Sequence, residues 1–227
     1  MEEFRDAWVV IAAYNEAEMI GTVVEGLLPR FGNVVVVDDG SPDNTAGEAR
    51  KAGAHVVVHP INLGQGAALQ TGMRYALRQN AAAVATFDAD GQHRVDDLEA
   101  MVTRLTDEKL DAVLGSRFLG DTTTVPKARR LLLQVARIIT WITSGVRLTD
   151  AHNGLRVFSA QAAERLRIRQ NRMAHASEII HQVGKLKLVF VEHPVTIDYT
   201  EYSKQKGQRW WSGFAILRDL FTGALLK

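Results

Sequence analysis

The chain has 227 residues, enough to bury a substantial core, and its 46% hydrophobic and 23% charged residues are typical of a soluble globular protein. A formal net charge of +1 provides no overall attraction for nucleic acid, so nucleic acid is not expected as a partner. The complete absence of cysteine excludes disulfides, thiolate metal sites and cysteine nucleophiles.

The N-terminal segment, Met1 to Asp6, is acidic and lacks the apolar stretch of a secretory signal, which favours a cytoplasmic location. No uninterrupted apolar run approaches the ~18–20 residues needed to cross a bilayer. The sequence therefore predicts no transmembrane helix.

The N-terminal half alternates between apolar strands and amphipathic helices. Continuous apolar runs, typical of strands covered on both faces, predict strands at 7–13, 34–37, 54–59, 82–87 and 111–114. Helical spacing of apolar residues predicts a first helix that follows an N-cap at Asn15 and ends at Pro29, and a second that begins near Thr45. This alternation predicts an α/β fold, with a mostly parallel sheet and helices on both faces.

Polar clusters follow three of these strands, at Tyr14–Glu16, Asp38–Asp43 and Asp88–His93. Because open α/β sheets bind ligands at the carboxyl ends of their strands, the three clusters are expected to share one crevice. Asp88 and Asp90 are two residues apart and project to the same side of an extended chain. In this setting the pair favours a divalent cation carrying a diphosphate over the alternative, an acidic β-turn.

Three smaller features allow more than one interpretation. Residues 38–45 contain turn and helix caps, but a carboxylate there is also suited to accept hydrogen bonds from a nucleobase or a ribose. The glycines of residues 62–66 are more typical of a tight strand-to-helix turn than of a phosphate cradle. His93 is expected at the surface or beside a metal ligand, since hard cations prefer oxygen.

Beyond Arg117 the alternation changes. The pattern predicts a basic-headed helix at 127–146, a strand at 155–158, helices from about Ser159 and near 177–183, and a strand at 187–192. A last helix at 210–226 carries an aromatic stripe that indicates either core packing or a membrane-interfacial face. Without a repeat or linker, the chain is expected to form a single domain, residues 1–227.

Seven short motifs occur in order over residues 7 to about 205: Ala13–Glu16, Val37–Thr45, Asn62–Gly66, Asp88–His93, Gly115–Arg117, Asn153–Phe158 and Tyr202–Lys204. Together they resemble glycosyltransferase family 2 with the GT-A fold, and within it the polyprenyl-phosphate sugar synthases of the dolichyl-phosphate mannose synthase type. The resemblance implies a nucleotide-sugar half at about 7–117 and an acceptor half with interfacial helices at about 118–227. The chain departs from the pattern at Ala13, where proline is common, and at residues 198–202, which lack the usual arginine and glycine.

The resemblance also implies roles in holding the donor. The residues implied to contact the nucleobase and ribose are Tyr14, Glu16 and Asp39. Those implied to hold Mg²⁺ or Mn²⁺ together with the diphosphate are Asp88, Asp90 and Gln92, with Asp90 also counted as catalytic.

Cations and an amide of the second half are implied to contact phosphate or substrate. Arg117 resembles an arginine that faces the donor or acceptor phosphate, and Lys204 resembles a cation that closes over the diphosphate; both are counted as catalytic together with Asp90. Arg129, Arg130 and Asn153 are implied to bind the acceptor side of the substrate.

Three functional hypotheses follow. The first is a metal-dependent inverting transferase that moves a hexose from a UDP- or GDP-sugar to polyprenyl phosphate, peripherally at the inner face of the cell membrane; this acceptor is already ionised and needs no general base. The second uses a saccharide hydroxyl, which requires a base, and Asp150 is the nearest candidate. The third is a catalytically silent nucleotide-sugar-binding subunit with a membrane-protein partner, against which the metal-site motif argues.

Overall fold

The computed structural model describes residues 4–119, 141, 145–171 and 174–198. The strands are β1 (Ala7–Ala13), β2 (Asn33–Asp38), β3 (His55–Val58), β4 (Ala83–Asp88), β5 (Ala112–Ser116), β6 (Arg156–Ser159) and β7 (Phe190–Pro194). The described helices are α1 (Ile20–Phe31), α2 (Thr45–Lys51), α3 (Gln65–Arg78), α4 (Val95–Asp107), α5 (Ala160–Arg165) and α6 (His175–Lys185).

The seven strands form one sheet in the order β3-β2-β1-β4-β6-β5-β7. Strand pairs β1–β2, β1–β4, β2–β3 and β5–β7 are parallel, whereas β6 runs antiparallel to both β4 and β5. The prediction of a mostly parallel α/β sheet is confirmed. The carboxyl ends of β1, β2 and β4 lie at the same edge, where the three polar clusters begin.

The central strands are buried on both faces. In β1, Val9 and Ile11 belong to a core with helices α1 and α4, whereas Val10 belongs to a second core with α3, α5 and α6. This division follows from the alternation of side chains along a strand. It explains why the strands appear in the sequence as continuous apolar runs rather than alternating ones.

Helix α1 differs at both ends from the predicted helix. It begins at Ile20 rather than after Asn15, because Asn15 adopts a left-handed φ of 59° and the chain continues as a loop. It also continues past Pro29 to Phe31, since a proline in the last turn removes one backbone hydrogen bond without preventing that turn. Gly32, with a φ of 71°, ends the helix.

Several sequence predictions lie outside the described residues. They are the helix at 127–146 except for residues 141, 145 and 146, the last helix at 210–226, and the residues Arg129, Arg130 and Lys204. Among the helices of the described ranges, none combines the length and apolarity that crossing a bilayer requires.

Candidate active site

The loop after β1 is fastened to the loop after β2. The backbone amides of residues 15, 16 and 17 donate to Ser41 Oγ, Thr45 Oγ1 and Asp43 Oδ2 at 3.0, 2.9 and 3.1 Å. Tyr14 remains 48% exposed. The first two polar clusters are therefore joined, with the tyrosine ring open to a ligand.

The Asp38 side chain caps the turn that follows β2. Its Oδ1 accepts a hydrogen bond from the amide of Ser41 at 3.0 Å and another from the Ser41 hydroxyl. Gly40 has a φ of 72°, and a Cβ there would lie 2.6 Å from the carbonyl carbon of Ile61. Of the two interpretations of this motif, turn capping is therefore realised at Asp38.

Asp39 connects the same turn to the glycine-rich loop. It is 2% exposed, and its Oδ1 lies 2.7 Å from His59 Nδ1 and accepts from the Leu63 amide at 3.0 Å. Its Oδ2 accepts from the Gly64 amide at 2.7 Å, while His59 Nε2 lies 3.0 Å from Thr71 Oγ1. The loop at 62–66 is thus a strand-to-helix turn held by a carboxylate. His59 was missed in the sequence, where only its position at the end of β3 marks it.

The predicted metal-binding carboxylates follow β4. Asp88 Oδ2 lies 2.9 Å from His93 Nε2, and Asp90 Oδ1 accepts from the Gln92 amide at 3.1 Å. His93 is 8% exposed and packs edge-on against Phe87, with ring centroids 5.4 Å apart. The prediction that His93 lies at the surface is therefore wrong. Its contact with Asp88 agrees with the alternative prediction, a histidine beside a metal ligand.

The two carboxylates differ in their electrostatic surroundings. Burial alone would raise the pKa of Asp88, but the hydrogen bond and charge of His93, followed by the charges of Arg156 and His175, hold it below its ordinary value. The pKa of Asp90 is raised, first by burial and then by the charge of Asp88, with a smaller contribution from Glu16. Glu16, one of the predicted nucleobase and ribose contacts, thus lies close enough for its charge to raise the pKa of Asp90.

This arrangement fits a divalent cation. Two close carboxylates, one of them kept ionised and the other disfavoured by its neighbour's charge, are stabilised when a cation joins them. Within the described ranges no group of three or more histidine or acidic side chains could hold a metal by itself. The remaining ligands would therefore come from a bound diphosphate or water, as is usual for Mg²⁺.

Arg117 and Asp150 form a buried ion pair. Arg117 Nε and Nη2 donate to the two carboxylate oxygens at 2.6 and 2.8 Å, and the Arg117 amide donates to Oδ2 at 3.1 Å. Burial would raise the pKa of Asp150, but these hydrogen bonds and the arginine charge hold it below its ordinary value. A carboxylate so engaged is a poor general base, which argues against the base role considered for Asp150.

The loop that follows carries the predicted substrate contact Asn153. This side chain is 3% exposed, and its Oδ1 accepts from the Leu155 amide at 2.9 Å. Its buried Nδ2 has no hydrogen-bond partner within the described part of the chain. A buried amide donor left open in this way is suited to an anionic or hydroxyl-bearing ligand.

The neighbouring residue His152 is neutral at pH 7, because burial and then the charge of Arg156 lower its pKa to about 4.

Two residues near Asp88 were given no role from the sequence. Arg156 lies in β6 opposite Thr86 of β4 and Leu114 of β5, and burial lowers its pKa to about 10. Gly154 lies two residues before the start of this strand. Both belong to the Asn153–Phe158 motif, but the motif alone gives neither a role; a charged residue inside an apolar strand was a further signal for Arg156, and Gly154 had none.

The loop after β4 is also joined by hydrogen bonds to residues 197 and 198, the last described residues of the chain. His93 pairs with Ile197, and the Gln92 carbonyl accepts from the Asp198 amide at 2.9 Å. Arg94 forms a bidentate ion pair with Asp198, at 2.8 and 2.7 Å. The segment in which the sequence departs from the dolichyl-phosphate type therefore begins directly beside the predicted metal loop.

Comparison with known proteins shows the family. The family described as "Glycosyl transferase family 2" matches residues 8–167. An uncharacterized protein of Methanocaldococcus jannaschii is 37% identical over 220 residues, 95% of this chain and 90% of that protein. The UDP-N-acetylglucosamine–dolichyl-phosphate N-acetylglucosaminyltransferase of Methanococcus voltae is 32% identical over 235 residues, 94% of each.

Solved structures give the same fold. Glucosyl-3-phosphoglycerate synthase from Mycobacterium tuberculosis, in complex with Mn²⁺, UDP and phosphoglyceric acid, superposes with a TM-score of 0.69 at 18% identity, covering 96% of this chain and 80% of that one. The likeness shows the fold, which is the GT-A fold expected from the motifs. The chain belongs to glycosyltransferase family 2 and is a glycosyltransferase.

Proposed function

We propose that the protein is a metal-dependent inverting glycosyltransferase that moves a hexose from a UDP-sugar to polyprenyl phosphate. The observation that carries this proposal is the half-buried Asp88 and Asp90 pair at the carboxyl edge of the sheet, whose charges interact with each other and with Glu16. The dolichyl-phosphate transferase among the relatives acts on the same class of acceptor. Residues 1–227 would work as one domain, placed peripherally at the inner membrane face, with any membrane-protein partner still to be found.

On the donor side, Asp88, Asp90 and Gln92 would hold Mg²⁺ or Mn²⁺ against the diphosphate. With the cation bound, this site would neutralise the negative charge that builds up on the β-phosphate as the nucleoside diphosphate leaves. Lys204 would add positive charge at the phosphates, and Arg117, whose charge is balanced by Asp150, would contact them. The solved relative that binds Mn²⁺ and UDP supports this assignment.

On the acceptor side, the engagement of Asp150 with Arg117 favours a phosphate over a hydroxyl. A sugar hydroxyl must lose a proton to a base as it attacks, whereas a lipid phosphate is already ionised. Asn153, Arg129 and Arg130 would bind this phosphate, which attacks the anomeric carbon from the face opposite the leaving diphosphate. That geometry inverts the configuration of the sugar.

The choice of UDP over GDP rests on the hydrogen bonds of Asp39. A carboxylate has about four acceptor positions, of which His59, the Leu63 amide and the Gly64 amide take three. The position that remains is on Oδ2 and suits the single N3–H of uracil. Guanine presents neighbouring N1–H and N2–H donors, which need two acceptors.

We expect UDP to bind with Mn²⁺ at least about tenfold more tightly than GDP, the equivalent of one hydrogen bond. His59→Phe should weaken UDP binding because Asp39 loses the neighbour that orients it. His55→Phe, a change at an exposed histidine at the start of β3, should leave it unaltered. Isothermal titration calorimetry measures all three; equal affinity for UDP and GDP would contradict the role given to Asp39.

The whole proposal is tested by transfer of radiolabel. The protein is incubated with labelled UDP-N-acetylglucosamine, UDP-glucose or GDP-mannose, MnCl₂, and polyprenyl phosphate in liposomes or a saccharide acceptor. We expect label in a lipid that mild acid releases, from a UDP-sugar, and none after chelation of the metal. Label appearing only in saccharide would favour the hydroxyl-acceptor hypothesis, and no transfer with intact UDP binding would favour a silent subunit.

A further inference from the structure

Gly154 lies opposite Asp88 in the sheet. Strands β4 and β6 are antiparallel with Thr86 paired to Arg156, so continuing the register by two residues places Asp88 across from Gly154. The Thr86 hydroxyl donates to the Gly154 carbonyl at 2.6 Å. The backbone at residue 154 is thus fixed beside the predicted metal ligand by a side chain two residues before that ligand.

The space that a side chain at 154 would need is filled by the Asp88 carboxylate. A Cβ at this position would lie 2.6 Å from Asp88 Cγ and within clashing distance of both carboxylate oxygens, which are its nearest neighbours. Gly154 is not among the glycines with a left-handed φ. The backbone conformation therefore does not require glycine here, and the requirement comes from the carboxylate.

We propose that Gly154 is a positioning residue for the metal site. Because it has no side chain, it keeps open the cleft in which the Asp88 carboxylate lies, and the hydrogen bond from Thr86 holds the backbone of that cleft in place. The consequence for metal binding rests on the function proposed above. A side chain at 154 would push the carboxylate away from the hydrogen bond with His93 at 2.9 Å. Asp88 and Asp90 would then no longer meet on one cation.

The first test measures Mn²⁺ binding in the presence of UDP, whose diphosphate supplies the remaining ligands, by electron paramagnetic resonance of the free ion against a blank of UDP alone. Gly154→Ala is expected to weaken binding on the order of 10–100-fold, the usual effect of disturbing groups that orient metal ligands. Thr86→Val, which keeps the shape of the side chain but loses the hydroxyl, should weaken it less. Gly26→Ala, at an exposed helical glycine with no atom within 4 Å of the added carbon, should leave affinity unchanged. Unaltered Mn²⁺ affinity in Gly154→Ala would overturn the proposal.

The second test needs neither metal nor activity. Gly154→Ala is made in the wild type and in Asp88→Ala, and the change in Tm is compared between the two backgrounds. We expect Gly154→Ala to lower the Tm in the wild-type background and to lower it less in the Asp88→Ala background. If the single variant does not fold and the double variant does, that result also supports the proposal. An equal loss in both backgrounds, or failure of both to fold, would overturn the assignment. If the wild type binds no Mn²⁺ even with UDP present, the proposed function fails while this cycle still decides the role of Gly154.

Discussion

Asp90→Ala is expected to lower kcat/KM for sugar transfer by roughly a thousandfold, the scale on which removing one charge-stabilising group acts. The reason is that Asp90 is the carboxylate whose own surroundings disfavour its charge: burial and the neighbouring Asp88 raise its pKa. Such a group contributes to binding a cation and not to folding. Radiolabel transfer under saturating and limiting donor measures the change.

The stability of the same site gives this prediction its control. A carboxyl whose folded pKa is raised destabilises the fold at pH values above its unfolded pKa, because unfolding relieves the repulsion. Asp90→Asn should therefore keep or raise the Tm at pH 7 while losing activity. Asp96→Asn, an exposed carboxylate at the start of α4, should change neither. Full activity in Asp90→Ala would show that the metal assignment is wrong, and inactivity with a collapsed Tm would show that Asp90 acts on folding instead.

The sheet could be predicted from the sequence because its strands are continuous apolar runs. Strand β1 has the predicted bounds, Ala7–Ala13, and the other strands differ only at their ends. The start of α1 could not be found in this way. It depends on amides after β1 that bind Ser41, Asp43 and Thr45, far along the chain, and local helix signals contain no such information.

The candidate site could be predicted where its residues are adjacent in sequence and not where they meet through the sheet. Asp88 and Asp90 are marked by their spacing, and the edge of the sheet on which they lie follows from strand order. Gly154 reaches Asp88 only through the antiparallel pairing of β6 with β4, and a single antiparallel strand in a parallel sheet has no local signature. Asp150 meets Arg117 across 33 residues for the same reason.

Asp150→Ala is expected to destabilise the fold by about 3–5 kcal/mol, because it removes the carboxylate that balances the charge of the buried Arg117 guanidinium. The Arg117 and Asp150 side chains are 10% and 1% exposed, so water cannot replace the lost carboxylate. Turnover should fall as well, since the bidentate hydrogen bonds fix the orientation of an arginine proposed to face phosphate. Urea unfolding at pH 7 gives the free energy, and transfer assays below the midpoint give the rate.

The pH dependence separates this buried pair from an ordinary surface ion pair. The folded pKa of Asp150 lies below its ordinary value of 3.8, so its contribution is present above the unfolded pKa and is lost as pH falls through the folded pKa. The difference between wild type and Asp150→Ala should therefore stay constant from pH 7 to about 4 and shrink only below that. Asp198→Asn, which breaks the half-exposed pair with Arg94, should cost far less, because solvent screens this pair. If Asp150→Ala lowers the free energy of unfolding no more than Asp198→Asn does, Arg117 is hydrated and mobile. The proposal that Asp150 orients Arg117 towards the phosphates would then be wrong.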